Sequence, residues 1–169
     1  MSNITVSIKG MDRLNKLLDN YVLDIRKKAE LLVKNLSEIG VEVARMNIAN
    51  LDAVFTGELM DSISNEKIPS DKNHITFVVK ASSNHAIFVE MGTGTIGASS
   101  PYNGKLPAVY AQGKKMFTTK DGRYGWIYYN ETYDKFIFTE GMPSRPFMYE
   151  TSLDLQERIV EEAIKIFGN

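Results

Sequence analysis

The chain has no cysteine. That single absence excludes disulfide scaffolds, thiolate zinc sites and cysteine nucleophiles. An excess of charge of one sign is also missing. The 20 Lys and Arg stand against 21 Asp and Glu, for a formal net charge of −1. A dedicated nucleic-acid binder carries a basic excess or a basic stripe. The short clusters Arg26-Lys27-Lys28 and Lys114-Lys115 read as solvated faces instead. Histidine is scarce. His74 and His85 flank a predicted strand and have no His or Cys partner at metal-ligand spacing. No apolar run approaches the roughly 20 residues that cross a bilayer. The opening MSNITVSIKG lacks the basic start and apolar run of a signal peptide. The expectation is a soluble protein made inside a cell, with no membrane contact, no metal and no cofactor.

What is present is ordinary globular material. The chain has 169 residues, 43% hydrophobic and 24% charged, enough for one domain, residues 1–169, with a real core. Ile4, Val6 and Ile8 alternate with polar residues and predict a short strand, ended by Gly10, with Asp12 as a helix cap. From Met11 to about Leu51 the apolar residues step by threes and fours, from Leu14 and Leu18 through Ile39, Val43 and Met46. That is one stripe of a long helix. It either lies across a sheet, reaches a neighbouring subunit, or does both. Gly40 marks close packing or a bend within it.

Residues 53–69 read as a loop or short helix, with Thr56 as cap and Leu59, Met60 and Ile63 facing inward. Ile75, Phe77 and Val79 alternate as a strand. Residues 86–91, AIFVEM, are apolar but of undecided type. Residues 93–119 predict a long surface loop, of a length usually tied to function. Residues 124–129 and 135–139 form a hairpin, and 147–167 a final helix stopped by Gly168. Helices at both ends and strands between them argue α+β: a long N-terminal helix and a C-terminal helix packed on one face of a mainly antiparallel sheet. The loop and hairpin at about 95–140 read as an insertion.

Catalytic patterns are sparse. There is no G-x-S-x-G motif. The run GTGTIG (92–97) lacks the Walker lysine and continues into SSPYNG rather than a helix. Glu90, beside an apolar run, is suited to holding loop backbone by accepting N–H hydrogen bonds. Gly92 and Gly94 permit backbone geometry closed to other residues. Trp126, Tyr128 and the neighbouring aromatics of the hairpin would pack one face on the core and leave the other for a partner subunit. No catalytic, cofactor-binding or metal-binding residue is assigned.

Three blocks occur in order: Thr56-Gly57-Glu58-Leu59 with Asp61-Ser62-Ile63; His85-Ala86-Ile87-Phe88-Val89-Glu90-Met91-Gly92-Thr93-Gly94; and Gly141-Met142-Pro143-Ser144-Arg145-Pro146-Phe147-Met148. Together they resemble the family of small phage neck and tail-component proteins typified by gene product ten of a lambdoid phage. Those proteins show T-G-x-L-x-x-S-I, Y-A-x-x-V-E-F-G-T and A-R-P-F blocks. This chain has His85 for Tyr, Met91 for Phe and Ser144 for Ala, and a longer stretch between Ile96 and Glu140. The resemblance implies a non-enzymatic structural protein of the head–tail junction of a long-tailed phage. It would form or join a ring, hexameric or dodecameric, that completes the tail or connects it to the head-closure ring. Its partners would be itself and neighbouring head-closure, tail-terminator or tail-tube proteins. DNA would pass through the lumen without specific binding, and a near-neutral wall suits such passage. The setting would be the virion neck or tail, and the host cytoplasm during assembly.

Around the blocks, Glu90 would tie down the Gly92-Thr93-Gly94 turn, and Arg145 would pair with Glu90 or with an acid on the next subunit. Pro146 would begin the last helix and Phe147 would anchor it in the core. Other readings are a tail terminator or minor tail protein, a small prophage-encoded hydrolase using Glu90 and His85, and a DNA-binding accessory factor using Lys105, Lys114, Lys115 and Lys120.

Overall fold

In the computed structural model, which describes residues 8–53, 57–69, 71, 74–99, 117–131 and 133–168, the long apolar stripe is one unbroken helix. This is α1 (Ile8–Asn50), 43 residues and so about 65 Å long at 1.5 Å per residue. The strand expected at Ile4–Ile8 is corrected where it can be seen. Ile8 and Gly10 are helical, and Ile4 and Val6 lie outside the described residues. A glycine inside an exposed helix costs only ~1 kcal/mol against alanine, so Gly10 does not stop a helix this long. Gly40 marks close packing. A Cβ there would come within 2.9 Å of Val79 Cγ2 and 3.1 Å of Leu155 Cδ1.

After α1 come α2 (Glu58–Asp61), β1 (Ile63–Ile68), β2 (Thr76–Ala81), α3 (Ala86–Met91) and α4 (Gly94–Ser99). Then follow β3 (Phe117–Thr118), β4 (Tyr124–Asn130), β5 (Lys135–Thr139), β6 (Gly141–Met142) and α5 (Phe147–Phe167). The class is α+β. The strands divide into two antiparallel sheets, β1–β2 and β3–β4–β5, rather than one. Helices α3 and α4 follow β2, and α4 touches both β4 and β6, so helices rather than strand pairing join the two halves.

Strand β1 replaces the loop or helix expected across its residues. Its sequence ISNEKI has apolar residues only at its ends, so it shows no alternation. Pairing makes it a strand: all six residues are in register with β2, from Ile63↔Ala81 to Ile68↔Thr76. Polar ties reinforce it. Asn65 donates to Ser37 Oγ at 2.8 Å, Lys80 bonds Glu66 at 2.6 Å, and Lys67 bonds Glu30. The undecided segment 86–91 is helical, and the long loop expected from residue 93 begins with helix α4. Residues 100–116 of that loop lie outside the described residues.

Helix α5 runs back along α1. Asn47 donates to Thr151 Oγ1 at 3.2 Å, and Leu155 lies against Gly40. The core sits at this end of the long helix. Ala44 and Ile48 of α1, Leu59 of α2, Ile63 of β1, Ala86 and Val89 of α3 and Phe147 of α5 form one buried cluster. Phe147 is 1% exposed and is the largest side chain in it. Phe147→Ala is expected to cost ~3–5 kcal/mol, a large part of a typical total of about 5–15 kcal/mol. Chemical denaturation of the two proteins checks this.

Candidate functional site

The chemistry-bearing residues gather where α3 ends and α5 begins. Helix α5 has no side-chain cap from its own N-cap residue, Pro146, yet its first N–H groups all find acceptors. Phe147 N donates to Arg145 O at 2.8 Å and Glu150 N to Pro146 O at 2.9 Å. The two between them go to Glu90: Met148 N to Oε2 at 2.9 Å, and Tyr149 N to Oε1 at 3.0 Å. Glu90 is 6% exposed. A carboxylate is at home there because helix N-terminal N–H groups are donors without intrahelical partners and carry the positive end of the dipole.

The exchange is reciprocal. Helix α3 ends at Met91, and its last carbonyls need donors. Arg145 N reaches Val89 O at 2.8 Å, and Ser144 Oγ reaches Glu90 O at 2.7 Å. Thus α3 caps α5 with a side chain, and the lead-in to α5 caps α3. Glu90 was expected to hold the glycine turn after it; it holds the helix opposite instead. The expected Glu90–Arg145 pair does not form. The Arg145 Nε donates to Leu51 O at 3.1 Å, just past the end of α1, and binds a third element to the junction.

The turn itself is held by backbone. Gly92 has φ +71°, and a Cβ on it would lie 2.6 Å from Ser144 N. Gly94 has φ +64°, and a Cβ there would collide with the Glu140 carbonyl. Both glycines do what the sequence suggested. Thr93 and Gly94 bridge to Met142 and Gly141 in antiparallel pairing, and Thr93 Oγ1 accepts from Met142 N at 3.2 Å. Pro146 stands one residue earlier than expected, at the N-cap, with Phe147 opening the helix.

Between this junction and the β4–β5 hairpin lies a cavity of about 750 Å³. Trp126, Tyr128 and Asn130 line its hairpin side. Leu59, His85, Val89 and Arg145 line the other. Near its base the hairpin meets α4, where Trp126 lies against Gly94; farther along, the cavity separates its aromatic face from the core. Tyr128, Ile127, Tyr129 and Phe136 are all exposed, Phe136 to 73%. It is braced mostly by its own residues. Tyr129 meets Phe136 edge-on at 5.2 Å, and Arg123 lies 4.9 Å from the Phe138 ring. The hydroxyl of Tyr129 donates to Asp134, which raises the Tyr129 pKa above its ordinary value.

A polar trio sits at the cavity rim. Ser83 Oγ lies 2.8 Å from His85 Nδ1, and Glu58 Oε1 lies 3.3 Å from Ser83 Oγ and 3.9 Å from His85 Nδ1. In a hydrolytic triad the imidazole links acid and nucleophile through different nitrogens. Here Ser83 Oγ lies near both nitrogens, 2.8 Å from Nδ1 and 3.2 Å from Nε2, and the acid approaches Nδ1 and the serine itself rather than the far side of the ring. Glu90, the acid of the hydrolase reading, holds the N–H groups of α5. Of the lysines in the DNA-binding reading, Lys120 is exposed near a turn; Lys105, Lys114 and Lys115 lie outside the described residues. Among the described residues no group of three or more His, Asp or Glu is placed to hold a metal, and no helix is long and apolar enough to cross a membrane.

Sequence reasoning singled out Glu90 and Arg145 but not their partners, which are backbone groups 58 and 94 residues away and carry no sequence signal. No family model, curated protein or solved structure matches this chain.

Glu90→Gln keeps the shape of the side chain but replaces one acceptor oxygen by a donor facing an N–H. It is expected to destabilise the fold by ~2 kcal/mol. At about 2–4 °C per kcal/mol for a chain of this size, the melting temperature falls by roughly 4–8 °C. Calorimetry checks it, and an unchanged melting temperature would show that the cap contributes nothing.

Proposed function

We propose that this chain is a structural subunit at the head–tail junction of a long-tailed bacteriophage, working in a ring that completes the tail or joins it to the head-closure ring. The observation that carries the reading is where the three motif blocks meet. Each contributes to the same buried cluster: Leu59 and Ile63 from the first, Ala86 and Val89 from the second and Phe147 from the third. The second and third blocks also exchange the cap between Glu90 and α5. The residues that carry the resemblance are therefore those that fix this fold, as expected of blocks shared within a family.

The remaining surface suits assembly. The hairpin presents exposed aromatics, and Tyr, Trp and Phe are enriched at the centres of protein interfaces. Placement as a tail terminator or a minor tail protein differs from this only in which neighbours the ring meets.

The test is recovery of the tagged protein from phage-producing cells, with mass spectrometry of its companions and electron microscopy of the eluate. Tail-tube or head-closure proteins and ring-shaped particles are expected. Absence of the protein from purified particles would overturn the proposal.

A further inference from the structure

Among the described residues, little packs against the N-terminal part of α1. Residues 10–27, eighteen in succession, are all exposed. Among the described residues, the hydrogen bond nearest the N-terminus that leaves α1 for another element runs from Arg26 to Asp71 O. A lone helix of this length is marginal in water. Yet this one carries eight exposed large apolar residues between Met11 and Ile25, with Tyr21 at 64% and Val22 at 63%. Met11, Leu14, Leu18, Tyr21 and Ile25 follow steps of three, four, three and four. That is the seam by which one helix packs against another.

A matching seam lies on α5. Phe147 and Thr151 face the core. Leu153, Val160, Ile164 and Phe167 are exposed, at steps of seven, four and three. At 100° per residue these four lie on the side of α5 opposite the buried one. The helix is apolar on two faces, and only one of them is covered.

We propose that the arm formed by residues 10–27 docks on the outer seam of α5 in a second copy of this chain. The two seams have the same period and the same span, 15 residues from Met11 to Ile25 and 15 from Leu153 to Phe167. Their charges complement each other. Residues 10–27 hold four Lys and Arg against three Asp, whereas α5 holds five Asp and Glu against two Lys and Arg. Arm against arm would forgo that attraction. The five seam residues, each about half exposed, offer on the order of 500 Å², more than half of what each partner contributes to a standard-size interface. The acceptor cannot be the chain's own α5. Its outer seam faces away from α1, and the arm is held in line by a helix without a break. Donor and acceptor are different surfaces, so the contact is head-to-tail and closes into a ring when the rotation permits. The inference rests on the reading above that copies of this chain assemble with one another, but it does not need the phage setting.

The absence of cysteine provides the test. Leu18→Cys and Val160→Cys place single thiols at the middle of each seam, where they meet whichever way the helices run. The full-length variants are treated with a short bismaleimide, separately and mixed, beside sedimentation of the unaltered chain. A cross-linked dimer in the mixture, absent from either variant alone, is expected. Independently, Val160→Glu with Ile164→Glu, at exposed positions, is expected to weaken self-association about tenfold or more with the melting temperature unchanged. Cross-linking of Leu18→Cys to itself, or none in the mixture although the unaltered chain sediments as an oligomer, would overturn this contact and leave ring assembly standing. A chain that sediments as a monomer and gives no cross-link would overturn the contact and count against self-assembly as well.

Discussion

The carboxylate of Glu90 accepts the N–H groups of Met148 and Tyr149, and the organisation of the core follows from that contact. Helix α5 begins at Phe147, directly after Pro146, and brings no capping side chain of its own. Without an acceptor from elsewhere, two buried N–H groups would be left without partners, at ~1–3 kcal/mol each. Glu90 comes from α3, so α5 is properly capped only once α3 is docked. The same docking delivers Arg145 N and Ser144 Oγ to the end of α3 and Arg145 Nε to the carbonyl beyond α1. Three helix termini thus meet at one junction. Phe147 immediately precedes the capped Met148, so the cap also sets where the largest core side chain enters the cluster around Ile48 and Leu59.

How much of this could be read from sequence depended on whether the determining partner was local. The long helix, the final helix and the β4–β5 hairpin each carry their own period, and the structure has all three near the expected bounds. Gly92 and Gly94 were legible because positive φ is a property of the residue itself. Strand β1 was not, because ISNEKI lacks alternation and becomes a strand through register with β2 and through ties to Ser37 and Glu30 on α1. The role of Glu90 was half legible. A carboxylate beside buried residues announces that it will accept hydrogen bonds, but nothing local says from whom. The paired reading with Arg145 failed for the same reason: backbone groups outcompeted the side chain that charge alone would select.

The position of the core explains the remainder of the surface. Nearly all burial lies beside the C-terminal half of α1, where β1, β2 and α5 pack. A stripe that extends from Leu14 to Met46 is therefore asked to serve two purposes. From about Lys28 onward it faces its own chain; before that its residues are exposed. The sequence could not distinguish the halves, because an apolar stripe looks the same whether its partner is intramolecular or not. Helix α5 has 21 residues against the 43 of α1, so it cannot cover the whole of the longer helix. The same holds for α5, where Leu155 and Val160 are equally apolar but one meets Gly40 of α1 and the other meets water.

A protein that functioned alone would gain from shortening α1 to the length of α5 or from making its free half polar, since bare apolar surface invites aggregation. This chain does neither. It keeps eight large apolar residues on an arm that contributes nothing visible to its own core, and aromatics on a hairpin face that a 750 Å³ cavity separates from the core. Both features lie outside the junction organised by Glu90, so they can contact other chains without disturbing the fold. A well-packed core at one end and bare apolar surfaces at its margins are what the proposed assembly would require of a subunit. That division, more than any single side chain, supports the proposal.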